Sequence, residues 1–148
     1  MVETNGRNFD LLTLGQVLLR LSPPDNERLS RGDTFVKQVG GAELNVAVGA
    51  ALLGLHTGVI SKLPAHDIGS FMKGKIRSFG VSDDFFMYDQ SSAARVGIYY
   101  YENGAYPRKP KVIYDRNHSS FFSLDIDEIP EEVYTASKCF HTTGITLA

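Results

Sequence analysis

The chain has 148 residues, 43% of them hydrophobic and 22% charged, with a formal net charge of -2. That is the length of one ordinary domain with a sizeable core, and the composition excludes a disordered or low-complexity chain. The charge balance argues against a nucleic-acid binder or a protein held on a membrane by a basic field.

Cys139 is the single cysteine, so neither an intrachain disulfide nor a multi-thiolate zinc site can form. Met1 to Asp10 is polar, and no later run approaches a membrane span. A cytoplasmic protein with no membrane and no nucleic-acid partner is therefore expected.

In chain order, Asp10 to Leu14 is a short apolar run closed by Gly15, as in a buried first strand of an α/β sheet. Gln16 to Leu21 continues extended until Ser22-Pro23-Pro24 breaks it, and a polar loop leads to a weakly alternating run, Thr34 to Val39. After Gly40-Gly41, Leu44, Ala47, Val48, Ala51 and Leu55 recur at helical spacing, which predicts a buried helix from Ala42 to Leu53. Thr57 to Leu63 reads as a second apolar strand. The next helix carries Ile68, Phe71, Met72, Ile76 and Phe79 on one face, with Asp67 placed to cap its start and Gly80 its end. Strand, helix, strand, helix implies βαβ crossovers and a partly parallel sheet. Asp84 to Asp89, Arg95 to Glu102 and Lys111 to Arg116 are β-rich, the last two joined by a long turn. Pro130 to Ala136 reads as a short helix and Cys139 to Ile145 as a core strand with Cys139 as a small buried hydrophobe.

Two segments carry chemistry. Paired glycines ahead of a helix, in Gly40-Gly41-Ala42-Glu43-Leu44-Asn45, allow close backbone approach and leave helix-start N–H groups for an oxygen-rich ligand. Asn45, in a nearly apolar helix, is read as a buried amide that must find partners, either a ligand or a neighbouring backbone group of a tight turn. A dinucleotide fold is disfavoured because the G-x-G-x-x-G spacing is absent.

Strand alternation puts Arg95, Gly97, Tyr99 and Tyr101 on one face and Val96, Ile98 and Tyr100 on the other. On the following strand, Val112, Tyr114 and Arg116 share a face. A Tyr/Arg wall suits a hydroxylated, anionic small molecule, since phenols bond hydroxyls and a guanidinium grips a carboxylate. The same residues also suit an oligomer interface. Tyr106 to Lys111 reads as a solvated turn. His56, His66, His118 and His141 show no metal-ligand spacing, and no nucleophile triad or carboxylate pair is visible.

Val39-Gly40-Gly41-Ala42-Glu43-Leu44-Asn45-Val46-Ala47 followed by Leu53-Gly54 resembles the N-terminal signature of the ribokinase-like (PfkB) carbohydrate kinases. The strands carrying Tyr99 and Tyr114-Asp115-Arg116, and the later Phe140 to Thr146, are most similar to the branch acting on 2-keto-3-deoxygluconate. The resemblance implies a three-layer α/β/α sandwich with a small β-sheet lid. Across residues 1–148, lid strands would fall at about 16–39 and 95–117, and α/β core at 9–15, 42–90 and 118–148.

By the same resemblance, Gly40, Gly41 and Asn45 would meet a sugar acid, Tyr99 and Tyr114 line its pocket, and Arg116 bind its polar end. Gln16 stands where the family usually has an acidic residue, and its amide can still bond hydroxyls. ATP and Mg2+ are implied for the complete enzyme, which would phosphorylate the 6-hydroxyl and pair with a second copy through the lid strands. The family's Gly-Ala-Gly-Asp motif, with its catalytic aspartate, is not in this sequence. The chain is thus expected to be the N-terminal half of a kinase, with no catalytic, nucleotide or metal residue of its own. Another family sugar kinase, such as a fructokinase, and a non-catalytic sugar-binding or dimerisation module are the alternatives.

Overall fold

The computed structural model describes residues 8–147; Met1 to Arg7 of the expected polar start, and Ala148, lie outside them. Two sheets share the work. One is five-stranded and parallel, with β1 (Phe9–Leu14) at its centre between β4 (Thr57–Pro64) and β9 (Ser137–His141). Beyond β4, the short strands β5 (Val81–Ser82) and β6 (Phe86–Asp89) pair with successive stretches of its edge. Strands buried on both faces need apolar side chains in both directions, and β1 and β4 supply them in near-continuous runs.

On one face of this sheet lie α1 (Ala42–Leu52) and α2 (Asp67–Ser78), burying Leu44, Ala47, Met72 and Ile76 against Val59 and Leu63. The Thr57 hydroxyl donates to the Ala47 carbonyl at 3.1 Å, tying α1 to β4. On the other face, two 3-10 turns (Ser120–Ser123 and Ile126–Glu128) and the short helix α3 (Val133–Ala136) close over Leu12 and Ile60 through Ile129 and Val133. The helix α2 is capped by His66 rather than Asp67, because the His66 ring nitrogen Nδ1 accepts from the Ile68 amide at 3.2 Å. Gly80 ends it with a positive φ of 78°.

The second sheet has four strands in the order β3 (Val36–Gly40), β2 (Leu18–Ser22), β7 (Gly97–Glu102), β8 (Lys111–Asp115). Only β2–β7 is parallel. Register sets its faces: Arg20 pairs with Gln38 and Tyr99, and Tyr99 pairs with Tyr114. The opposite face, with Leu19, Leu21, Val39 and Ile98, packs against the α1/α2 core. The last two of the four crossings between the sheets, β6 to β7 and β8 to β9, meet at Ser120, whose hydroxyl donates to Asp89 Oδ2 at 2.8 Å and accepts from the Arg95 amide at 3.2 Å.

Two expectations are corrected at the end of the chain. The strand stops at His141, and residues Gly144–Leu147 form a short helix, α4, because Thr143 caps it with its hydroxyl accepting from the Ile145 amide at 3.2 Å. Cys139 is exposed instead of buried, since β9 is an edge strand of its sheet and its middle residues Lys138, Cys139 and Phe140 are all exposed. The turn at Tyr106–Lys111 is less loose than a solvated turn: Tyr106 is fully exposed, yet Arg108 Nη2 donates to the Asn26 carbonyl at 2.6 Å and its guanidinium faces Glu102.

Candidate functional site

The site forms where the second sheet folds over the C-terminal end of β1 and the start of α1. Gly40 closes β3 opposite Leu18, and a Cβ there would strike the Tyr99 hydroxyl. Gly41 is the N-cap of α1 at φ 148°, and a Cβ on it would lie 2.6 Å from the Gln16 carbonyl. Both positions therefore require glycine, one for close passage beneath a ring and the other for a left-handed backbone as well.

Gln16, Gly41, Asn45, Tyr99, Tyr114 and Arg116 line one cavity of about 600 Å³, which is the size of a small-molecule site. Gly40 stands just behind it, against Tyr99. The Tyr99 and Tyr114 rings tilt at 36° with centroids 6.0 Å apart, and the Arg116 guanidinium lies 5.5 Å from the Tyr114 ring. Burial pushes the Tyr99 phenol above its ordinary pKa, with Arg20 opposing the shift, so Tyr99 is a neutral hydrogen-bonding group at neutral pH. Gln16 is buried, lines the cavity, and its side-chain amide donates to the Ser119 hydroxyl at 2.6 Å.

Asn45 corrects one expectation. Its side chain is exposed in the open cavity, not buried in the helix packing, because it points along the α1 face that the sheets leave uncovered. Its backbone amide donates to the Gly41 carbonyl at 2.9 Å, as an ordinary first helical turn.

Sequence reasoning missed two features. The apolar side of the cavity is made by Phe121, Leu124 and Ile129 from the 3-10 turns. The adjacent pair Phe121-Phe122 was a signal, as was the Asp125 to Glu128 spacing, which forms a capping box. The second feature is Glu43. It is only 2% exposed, and its Oε1 accepts from the Thr143 amide at 3.1 Å and from the Thr143 and Thr146 hydroxyls at 2.6 Å. Burial alone would raise its pKa, but the Thr143 and Thr146 bonds outweigh that and hold the carboxyl below the usual range.

Arg116, Tyr114 and Tyr99 offer a cation and phenols on one side, Asn45 and Gln16 offer amides on another, and the apolar wall faces them. Such a cavity suits a compact molecule with hydroxyls, one anionic end and one less polar face. Among the described residues, no group of three or more His, Cys, Asp and Glu side chains is placed to hold a metal ion. No helix among them is long and apolar enough to cross a membrane.

Residues 8–148 match the family described as pfkB family carbohydrate kinase. The chain is 37% identical over 94% of its length to a 2-dehydro-3-deoxygalactonokinase of Haloferax volcanii, of which it covers 43%. It is 30% identical over its whole length to the 5-dehydro-2-deoxygluconokinase 1 of Bacillus cereus, covering 44% of that protein. Among solved structures, the 2-dehydro-3-deoxygluconokinase of Thermotoga maritima superposes with a TM-score of 0.87 at 38% identity, over 93% of this chain and 42% of that one. The chain thus spans less than half the length of the curated relatives it matches.

Proposed function

The chain belongs to the pfkB family of carbohydrate kinases, and from that premise we propose that it supplies the sugar side of an ATP-dependent sugar-acid kinase. The substrate class is a 2-keto-3-deoxy sugar acid such as 2-keto-3-deoxygluconate, phosphorylated on its 6-hydroxyl. The observation that supports this reading is the convergence of Gln16, Gly41, Asn45, Tyr99, Tyr114 and Arg116, from both sheets and α1, on one cavity.

Arg116 would take the carboxylate bidentately, Tyr99 and Tyr114 would bond keto and hydroxyl oxygens, and Asn45 with Gln16 would hold further hydroxyls. A deoxygenated carbon has its natural place against Phe121 and Leu124. Holding the acceptor hydroxyl in one geometry would be this chain's contribution to the rate; ATP with magnesium would supply the phosphoryl group. The relatives named 2-dehydro-3-deoxygalactonokinase and 5-dehydro-2-deoxygluconokinase both support a keto-deoxy sugar acid, the first of them the 2-keto-3-deoxy pattern, and leave the individual sugar to a substrate panel. Exposed Val36, Val112 and Ile113 on the edge strands β3 and β8 support a second copy docking on the lid.

The test is phosphorylation by the full-length protein with ATP, across 2-keto-3-deoxygluconate, its galactonate epimer, fructose and ribose. Turnover of the keto-deoxy acids that collapses in Arg116→Ala is the expected result. Preference for fructose would replace the substrate, and sugar-acid binding without turnover in the full-length protein would favour a binding module.

A further inference from the structure

Glu43 holds an unusual position among the charged groups of the described residues. It is almost wholly buried, it lines the cavity, and yet its carboxylate is turned away from a ligand toward the protein itself. Oε1 accepts from the Thr143 amide, the Thr143 hydroxyl and the Thr146 hydroxyl, across about a hundred residues of sequence. Its carboxyl group occupies the space beside Gly15 that a Cβ there would take. The end of β1, the first turn of α1 and the start of α4 thus converge on one side chain.

Each of these segments carries part of the cavity lining: Gln16 follows Gly15, Gly41 and Asn45 flank Glu43 in α1, and Thr146 with Ile145 line it from α4. A buried carboxylate without donors would be costly, so its bonds to Thr143 and Thr146 fix the spacing between these segments.

We propose that Glu43 is a positioning residue for the sugar site: it holds the Gly41–Asn45 turn, the Gly15-Gln16 step and the Thr143–Thr146 segment at the separation a sugar acid requires. This rests on the sugar-acid reading of the cavity. The requirement is for an acceptor at Oε1, which glutamine retains and alanine lacks.

The experiment compares full-length wild type, Glu43→Ala and Glu43→Gln by kinetics and by calorimetry with 2-keto-3-deoxygluconate. Glu43→Ala should raise the sugar KM and Kd about tenfold or more with the ATP KM unchanged, while Glu43→Gln stays within about threefold of wild type. A general loss of folding would move both KM values together. Thr143→Val with Thr146→Val should reproduce the alanine effect, and adding it to Glu43→Ala should cost nothing further, as for partners in one contact. Wild-type sugar affinity in Glu43→Ala, an equal loss in the glutamine and alanine variants, or full additivity with the threonine pair would each overturn the proposal.

Should Glu43→Ala not fold, Thr146→Val alone carries the test, with a loss of about threefold expected and no change overturning it. Should the wild type bind no sugar acid, the functional reading fails, and the exchange rate of the Thr143 amide still decides the strut. Faster exchange in Thr146→Val or Glu43→Ala than in Glu43→Gln supports it; equal rates overturn it.

Discussion

The two sheets use their residues in opposite ways. Every position of β4 except Lys62 is buried, whereas every position of β8 is exposed. The parallel sheet is sandwiched between helical layers, so its side chains are chosen for packing volume. In the second sheet β2, β3 and β7 are covered on one face and β8 on neither, so the other face is free to carry Tyr99, Tyr114 and the neighbouring Arg116. Stability and ligand chemistry are thereby separated in space, and substitutions should separate them too.

The sharpest test lies in the parallel sheet. Ile60→Ala removes a fully buried side chain between β1 and the 3-10 layer and should cost about 3–4 kcal/mol of unfolding free energy in a denaturant titration. Arg116→Ala should do the reverse: about 2–3 kcal/mol of sugar-acid binding lost, read by calorimetry, with unfolding unchanged within about 0.5 kcal/mol. Equal effects of both substitutions on stability would break the contrast.

Gly41→Ala probes the junction, because a Cβ at φ 148° would also meet the Gln16 carbonyl. It should cost about 1–3 kcal/mol of stability and weaken binding as well.

The smallest effect concerns acid. The Ser91 amide, and after it the Ser120 hydroxyl, hold the Asp89 carboxyl below its ordinary pKa of 3.8. A lowered folded-state pKa gives stabilisation that is present above the unfolded value and lost as pH falls through the lower folded one. The protection factors of the Arg95 and Ser120 amides, where the chain crosses between sheets, should therefore fall below about pH 4, and Ser120→Ala should blunt that response.

Much of this was legible in the sequence. Near-continuous apolar runs identified β1 and β4, helical spacing identified α1 and α2, and period-two alternation put Tyr99 and Tyr114 on a common face before any pairing was known. Local rules failed at one helix boundary and where a long-range contact decided the outcome. Asp67 is as good a cap as any by residue type, but it falls inside the helix and His66 holds the N-cap position. Asn45 in an apolar helix reads as buried, and only the course of both sheets shows its face of α1 uncovered. The run Cys139 to Ile145 has strand character, but bonds from Thr143 and Thr146 to Glu43 turn it into a helix after His141.

By itself the sequence determined most strands and helices up to His141, and the Gly-Gly turn and Tyr/Arg strands that mark the family, because these depend on backbone preferences and periodicity over a few residues. The tertiary structure decided which of those side chains share a cavity, which apolar wall faces them, and that one buried carboxylate joins segments a hundred residues apart. Those are properties of non-local packing, where a residue's role is set by what the rest of the chain places against it.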